Sequence, residues 1–352
     1  MPLCNPLALP LNRRTKLLNA VVRERVTLVV TGSSSKLSAD EIASHFRGRL
    51  LEHPVRPLSF RELCELNDID VPSANELDRA GTVSPQTRTA LGATFDRHLV
   101  EGGFPGTQHM PAAGRITLLQ TYARDVVARD VVDRYPRAGI DLANQVALYG
   151  LRNTGCELSV NSLASCLRSV GYRTSWETVS EVVRLLEQAH LYDSVAEHST
   201  SFAQSTTAIK KAYAVDTGMA HAVSRASQQD VGKRLETAVY NELARRCARG
   251  RIDTVYSLTL PSAKREKVDF VAGDALSTEE YGLIQATVDM TADKTRTREL
   301  GSLAAAMRFA NSPTGLVITL RERVSSTVPK GTIEVVPAWQ WALTDALSTS
   351  AA

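Results

Sequence analysis

The alternation of helix and strand patterns in the C-terminal third of the chain limits its fold more than any other feature. Apolar, β-branched runs that are typical of strands alternate there with amphipathic helix patterns. In order, the elements are a helix at 232–246, strands at 252–259, 267–272 and 281–288, a helix at 291–310 and a strand at 315–320. The order α-β-β-β-α-β predicts a separate α/β domain, which we assign to residues 226–352. Since a chain of 352 residues has room for two or three such domains, we expect an α/β multidomain protein.

A helix-turn-helix pattern precedes this domain. Helices are predicted at 141–151, 160–169 and 175–190, and Gly171 lies in the tight turn between the last two. A strand pair follows, split by a polar loop at 198–208. Two helices joined by a tight turn and followed by a strand pair predict a winged helix, which we assign to residues 140–225.

The second helix of this pattern is the one that enters the major groove in DNA-binding proteins. The candidate DNA contacts at its start and on the wing are Arg173, Thr174, Ser175, Thr178, Lys210 and Lys211. The same helix carries Glu177, Glu181 and Glu187 against Arg184 alone, and carboxylates are repelled by a polyanion. Docking of a protein partner is therefore as good an interpretation as binding of duplex DNA.

The first 139 residues divide into two predicted parts. Residues 26–30 read as a buried strand that ends in a polar turn, with a short helix after it, and this is the pattern of the rear part of an α/β domain at 1–70. Residues 71–89 are polar and read as a linker. Helix patterns at 92–100 and 115–134 complete a helical, lid-like segment at 71–139.

Composition and missing motifs exclude several classes of protein. The net charge of +3 does not indicate a strongly basic nucleic-acid binder. Five scattered cysteines fit a reducing compartment, and no apolar run reaches the length of a membrane span, so we expect a cytoplasmic protein without a membrane partner. No GxxxxGK[ST] loop is present to cradle nucleotide phosphates, and HExxH and GxSxG are absent as well.

A set of short motifs, spread in order from about residue 20 to residue 320, carries a family resemblance. They are VVTGSSSKL (29–37), EIA (41–43), RGR (47–49), PLSFREL (57–63), GGFP (102–105), YAVDTG (213–218), GKRLE (232–236), KVDF (267–270) and LIQ (283–285). Together they resemble prokaryotic AAA-type ATPases with a C-terminal domain of unknown function 4143. The resemblance implies an ATPase core, a winged helix and a domain similar to PD-(D/E)XK nucleases.

Compared with members of that family, the chain is expected to begin after the nucleotide-binding loop. The resemblance implies that Ser33, Ser34, Arg47 and Arg49 sense the nucleotide phosphates in an intact relative, where such groups respond to charge on the phosphoryl oxygens. Without the loop we expect no ATP hydrolysis and no cofactor in this chain. ATP and magnesium would be its cofactors if a longer native form exists.

The resemblance also implies a nuclease-like site in the C-terminal domain. It would comprise Glu236 on the first helix and Asp269 on the second strand, with Asp269 as the magnesium ligand. On the third strand the acid is replaced by Gln285, and Lys267 is the lysine that would have to substitute for the missing one. An amide is a weaker magnesium ligand than a carboxylate, so this site reads as degenerate.

The sequence therefore predicts a truncated AAA-type protein that binds DNA or a protein partner through its winged-helix and nuclease-like domains. Two alternatives stay open. One is an intact ATP-binding ATPase whose start is misassigned, and the other is a weak magnesium-dependent nuclease.

Overall fold

The computed structural model describes seven ranges of the chain, and all the elements below lie within them. The ranges are 53–78, 82–198, 210–224, 231–262, 265–273, 281–328 and 331–344. The strand predicted at 26–30 and the short helix after it lie outside these residues. Residues Pro54–Ala352 cluster as one compact unit, so the parts predicted at 71–139, 140–225 and 226–352 all lie within it.

Helices and strands alternate through the described ranges, which makes the protein a mixed α/β structure. The helices are α1 (Phe60–Leu66), α2 (Ala74–Asp78), α3 (Pro85–Glu101), α4 (Ala112–Val126), α5 (Ile140–Arg152), α6 (Val160–Ser169), α7 (Trp176–Gln188), α8 (Thr217–Val223), α9 (Val231–Ala248), α10 (Asp293–Phe309) and α11 (Ala338–Leu343). The strands are β1 (Cys156–Leu158), β2 (Tyr192–Val195), β3 (Lys210–Ala214), β4 (Thr254–Thr259), β5 (Lys267–Gly273), β6 (Tyr281–Ala286), β7 (Thr314–Thr319), β8 (Val324–Val328) and β9 (Gly331–Pro337).

The C-terminal sheet has six strands in the order β4-β5-β6-β7-β9-β8. Strands β6, β7 and β9 are parallel at its centre, and β4, β5 and β8 pair antiparallel toward the edges. The predicted order α-β-β-β-α-β is confirmed as α9-β4-β5-β6-α10-β7. Strands β8 and β9, which extend the sheet, and helix α11, which follows them, are not among the predicted elements.

A second, smaller sheet lies between α5 and α8. It has the order β1-β3-β2, and β3 pairs antiparallel with both neighbours. The element order is α5-β1-α6-α7-β2-β3, and the three predicted helices are found close to their predicted limits. Ser159 caps α6 and Ser175 caps α7, each by accepting a hydrogen bond from a backbone N–H in the first turn.

The segment predicted as a linker at 71–89 is partly helical, which corrects that prediction. It contains α2 and the first turn of α3, and Leu77 and Val83 are buried. Its polar residues lie on the exposed faces of helices rather than in an extended linker. The two buried apolar side chains pack in the core. Helices α1 and α3 pack against α9 and α11.

Three hydrophobic cores follow from this arrangement. One lies between α1, α3, α9 and α11 and one face of the six-stranded sheet, and a second lies between that sheet's other face and α10. The third fills the space between α4 to α8 and the three-stranded sheet. None of the helices in the described ranges combines the length and the apolar composition of a membrane span.

Two of the sequence motifs meet where α3 ends and α8 begins. The Asp216 carboxylate accepts hydrogen bonds from the backbone N–H of Gly103 (2.6 Å) and of Met219 (2.8 Å). The Thr217 hydroxyl donates to the carbonyl oxygen of His98 (2.9 Å). Burial raises the pKa of Asp216, and these N–H groups act in the opposite direction by stabilising the ionised form. The GGFP and YAVDTG motifs therefore form one structural joint.

The close approach of backbones at this joint gives a prediction for two glycines. A Cβ on Gly218 would lie 2.3 Å from the carbonyl oxygen of Glu101, so Gly218→Ala should lower the free energy of unfolding by about 2 kcal/mol. Gly301 in α10 has open space around its Cα, and Gly301→Ala should raise the same quantity by about 0.5 kcal/mol. Urea unfolding checks both, and equal effects of the two substitutions would contradict the joint.

Candidate functional site

The candidate site is an ion cluster between the two sheets, formed by Lys211, Glu236 and Asp269. The ammonium group of Lys211 on β3 lies 2.9 Å from Oε1 of Glu236 on α9 and 3.2 Å from Oδ1 of Asp269 on β5. All three side chains are about 15% exposed. The structure thus brings together the two predicted acids, and adds to them a lysine from the three-stranded sheet. We call these three residues the Lys211 cluster.

A β-bulge places Asp269 in the Lys211 cluster. Tyr256 pairs with Val271 and Leu258 pairs with Val268, so two residues of β5 stand opposite one residue of β4. The extra residue allows Asp269 and Phe270 to face α9 together, where a regular strand would send one of them to the opposite face. The second carboxylate oxygen of Asp269 also accepts a hydrogen bond from the backbone N–H of Ala286 (3.1 Å).

Aromatic side chains close one side of the Lys211 cluster. The Tyr213 hydroxyl donates to Oε1 of Glu236 at 2.7 Å. The ring of Tyr213 stacks on Tyr240 with centroids 4.5 Å apart, and Phe270 lies next to both rings. Because Lys211 and Tyr213 are two residues apart on β3, they face the same side and reach the same carboxylate.

The charges in the cluster shift one another's pKa values. Burial, and then the nearby charge of Asp269, raise the pKa of Glu236 to about 6, although the Lys211 ammonium opposes the shift. Burial lowers the pKa of Lys211, but the two carboxylates outweigh burial and leave that pKa above its usual value. Burial, followed by the charge of Glu236, raises the pKa of Tyr213. With both acids ionised, the cluster carries one net negative charge.

The two other residues predicted for the nuclease-like site lie elsewhere. The ammonium of Lys267 donates to Oε1 of Glu157 at 2.7 Å and its side chain is 54% exposed. Gln285 contacts the backbone of Asp269, since its amide oxygen accepts a hydrogen bond from the Asp269 N–H at 3.3 Å. By the alternation of β6, Gln285 shares the face of Leu283, which packs toward α10. Neither side chain reaches the carboxylates of the Lys211 cluster in the hydrogen bonds described.

The side chains of the Lys211 cluster limit its ability to bind a metal ion. Among the described residues, no group of three His, Cys, Asp or Glu side chains is arranged to hold a metal ion. The two carboxylates are hard oxygen ligands of the kind that magnesium takes, but the Lys211 ammonium lies between them. A cation would have to displace that ammonium to reach both carboxylates.

The predicted DNA contacts lie in different environments in the structure. Arg173 and Lys210 are exposed, and Thr174 and Thr178 are half-buried at the start of α7. The Ser175 hydroxyl accepts a hydrogen bond from the Thr178 N–H (3.2 Å), so its first role is that of a helix cap. Lys211 forms ion pairs with Glu236 and Asp269. Ser33, Ser34, Arg47 and Arg49 lie outside the described residues.

The sequence patterns predict neither the position of Lys211 nor the contribution of Tyr213. They indicate a wing for Lys211, because a lysine next to a polar loop is typical of a phosphate contact. Their spacing could have indicated that the two side chains act together, since positions 211 and 213 share one face of a strand. What they face depends on a helix and a strand 25 and 58 residues further along the chain.

Two family models match parts of the chain. One is that of the AAA domain, over residues 12–64. This segment is similar to an AAA domain. The other is that of a domain of unknown function, DUF8612, over residues 92–230, which includes α4 to α8 and the three-stranded sheet. The AAA-type part of the resemblance is supported by these matches, whereas the matched domain of unknown function is DUF8612 rather than 4143.

Relatives of this chain occur in an archaeon and a bacterium. An uncharacterized protein of Methanocaldococcus jannaschii is 25% identical over 324 residues, which is 90% of this chain and 69% of the relative. An uncharacterized protein of Haemophilus influenzae is 26% identical over 262 residues, which is 74% of this chain and 60% of the relative. The chain thus corresponds to only part of the length of each relative. No solved structure matches it significantly.

The Lys211 cluster predicts a pH-dependent loss of stability on removal of its cation. Lys211→Met leaves two buried carboxylates without a counter-charge, which should lower the free energy of unfolding by about 3 kcal/mol at pH 8. The pKa of Glu236 is already raised in the folded protein and rises further without Lys211, because the ammonium favours the ionised acid. In the variant Glu236 therefore becomes protonated in the folded state at a higher pH than in the unmodified protein, and the loss shrinks as the pH falls from 8 toward 6. Below a pH of about 6 the acid is protonated in both folded proteins, and the loss stays constant.

Urea unfolding at pH 5 and pH 8 measures this difference. Lys210→Met is the matched control, because Lys210 is the adjacent, exposed lysine on the same strand. It should change the free energy of unfolding little at either pH. A loss for Lys211→Met that is the same at both pH values would show that Lys211 does not shift the pKa of Glu236.

Proposed function

We propose that this chain is an AAA-related protein whose described part acts by binding duplex DNA rather than by hydrolysis. In this proposal residues 140–225 are a winged helix, and the first turn of α7 contacts the DNA. The observation that carries it is the element order α5-β1-α6-α7-β2-β3, with an exposed Arg173 immediately before α7. In winged helices this order places the second helix of the helix-turn-helix where it reaches the major groove.

The surface around this turn supports a modest electrostatic contact. Arg168 and Arg173 are exposed near the turn, and Lys210 is exposed on β3. Arg184 forms an ion pair with Glu181 at 2.6 Å and so contributes less positive potential. With so few cations available, we expect binding that is weak and that falls steeply with salt, since counterion release dominates such contacts.

The Lys211 cluster supports the non-hydrolytic part of the proposal. In a magnesium-dependent nuclease the acids hold the cation and a lysine orients the attacking water. Here the lysine forms ion pairs with both acids, and the amide of Gln285 on the third strand accepts a hydrogen bond from the Asp269 backbone, so that strand supplies no carboxylate to the cluster.

Arg173 provides the test of DNA binding. Arg173→Gln should raise the Kd for a short duplex of mixed sequence about fivefold at about 50 mM salt, and should reduce the slope of log K against log salt by about one. Fluorescence anisotropy measures both quantities. Arg308→Gln removes an exposed arginine from α10, far along the chain from the helix-turn-helix, and should leave both unchanged. Absence of binding by the unmodified protein at this salt concentration would refute the proposal.

A magnesium-dependent nuclease is the second candidate, and the proximity of the carboxylates of Glu236 and Asp269 favours it. If it is correct, the protein nicks plasmid DNA in magnesium and Asp269→Ala abolishes the activity, because the metal loses a ligand. Asp293→Ala removes an exposed acid from the start of α10 and serves as the control. Nicking that persists in Asp269→Ala would reveal a contaminating enzyme.

Docking of a protein is the alternative for the helix-turn-helix. Trp176 is 47% exposed at the first position of α7, and Val170 is 67% exposed in the turn before it. Large exposed apolar side chains at such a turn favour a protein surface more than a phosphate backbone. Trp176→Ala would then abolish association while Arg173→Gln leaves it intact, which is the reverse of the pattern expected for DNA.

Nucleotide binding is a proposal for the AAA-like segment alone. It rests on the match of residues 12–64 to the AAA domain and on Ser33, Ser34, Arg47 and Arg49 within that segment. ATP and magnesium would be the ligands.

A further inference from the structure

The Lys211 cluster differs from a metal site in the group that lies between its two carboxylates. The ammonium of Lys211 is 2.9 Å from Oε1 of Glu236 and 3.2 Å from Oδ1 of Asp269, which are the distances of charged hydrogen bonds. Magnesium lies about 2 Å from its oxygen ligands and completes an octahedron with several waters. With the ammonium in this position, the donor set does not fit a resident divalent cation.

The backbone of Lys211 is held from both sides, because β3 is the central strand of the three-stranded sheet. Lys211 is opposite Glu157 on β1 and opposite Val195 on β2. A side chain that starts from so constrained a backbone stays near the two acids, and its ammonium acts there at a high local concentration. A free divalent cation would have to compete with this tethered charge.

The two carboxylates also accept hydrogen bonds from donors other than Lys211. The Tyr213 hydroxyl donates to Oε1 of Glu236 at 2.7 Å, and the backbone N–H of Ala286 donates to Oδ2 of Asp269 at 3.1 Å. These donors stabilise the negative charge and orient both carboxylates in the presence of the ammonium. Since magnesium gives up its waters reluctantly, it gains little from oxygens that are already hydrogen-bonded.

A second ion pair joins the two sheets next to the Lys211 cluster. Lys267 on β5 donates to Oε1 of Glu157 on β1 at 2.7 Å, and Glu157 is the residue directly opposite Lys211. Both side chains of this second pair are about half exposed, whereas Lys211 is largely buried. Of the two lysines, Lys211 is therefore the one that stabilises the buried carboxylates of Glu236 and Asp269.

We propose that Lys211 is a built-in cation that keeps divalent metal ions out of the pair formed by Glu236 and Asp269. The ammonium supplies positive charge between the carboxylates without the cost of removing waters from a metal ion. Without it, two carboxylates and the vacated space would accept a hydrated cation, since one or two carboxylates with several waters are the usual magnesium ligands. Exclusion of metal by Lys211 rests on the non-hydrolytic part of the proposed function and is independent of DNA binding.

Titration of the whole chain with manganese at pH 8 tests this role, with the electron paramagnetic resonance signal of the free ion as the readout. Manganese is the probe because it takes the same oxygen ligands as magnesium. Lys211→Gln should bind it with a Kd at least about tenfold lower than that of the unmodified protein, because both carboxylates become accessible. Lys211→Arg is the matched control, since it keeps the positive charge, and it should bind manganese as weakly as the unmodified protein. Addition of Asp269→Asn to Lys211→Gln should abolish the gain.

The unmodified protein provides a second measurement that does not depend on the folding of variants at position 211. It should bind the same amount of manganese as Asp269→Asn, because the ammonium already closes the acid pair. The proposal is overturned if the unmodified protein binds more manganese than Asp269→Asn does. It is also overturned if Lys211→Gln, shown to be folded by its urea unfolding transition, binds manganese no more tightly than Lys211→Arg. Neither result affects the test of DNA binding with Arg173→Gln, so the two proposals can fail separately.

Discussion

Helix α9 is the element on which the rest of the described structure depends, because it is surrounded on all sides. Nine of the ten residues at 235–244 are buried. The exception is Glu236, whose side chain is only about 15% exposed. A helix buried in this way is usually apolar all round, but α9 carries Thr237, Asn241 and Glu242. Each must find a partner, since an unpaired polar group in a protein interior is costly.

Partners of these polar groups come from several neighbouring parts of the chain. Thr237 and Thr154 share a hydrogen bond of 2.7 Å, and Asn241 donates to the carbonyl oxygen of Ala214. On the opposite side, Arg246 bonds with Glu242 and with backbone oxygens of the last helix, and its guanidinium lies 4.2 Å from the ring centroid of Trp341. Directional contacts on both sides fix the rotation of α9 and thereby the direction of Glu236.

The sequence predicted the local elements well and their neighbours poorly, for a physical reason. Helices α5, α6 and α7 follow from a period of 3.6 residues, which depends only on nearby residues. The family resemblance implied Glu236 and Asp269, and their carboxylates do meet. The bulge at Asp269, the occupation of the acids by Lys211 and the diversion of Lys267 to Glu157 all arise from contacts between distant parts of the chain. No periodicity encodes such contacts, and the resemblance therefore implied a site for Lys267 and Gln285 that their side chains do not reach.

The Lys211 cluster links any chemistry at the two acids to the position of the three-stranded sheet. Lys211 belongs to β3, whereas Glu236 and Asp269 belong to α9 and β5, so the ion pairs join these parts. A cation that binds the acids must displace the ammonium, and it thereby removes contacts that hold β3 against α9. By the reciprocity of coupled equilibria, any partner that strengthens the packing of β3 on α9 weakens cation binding at the acids.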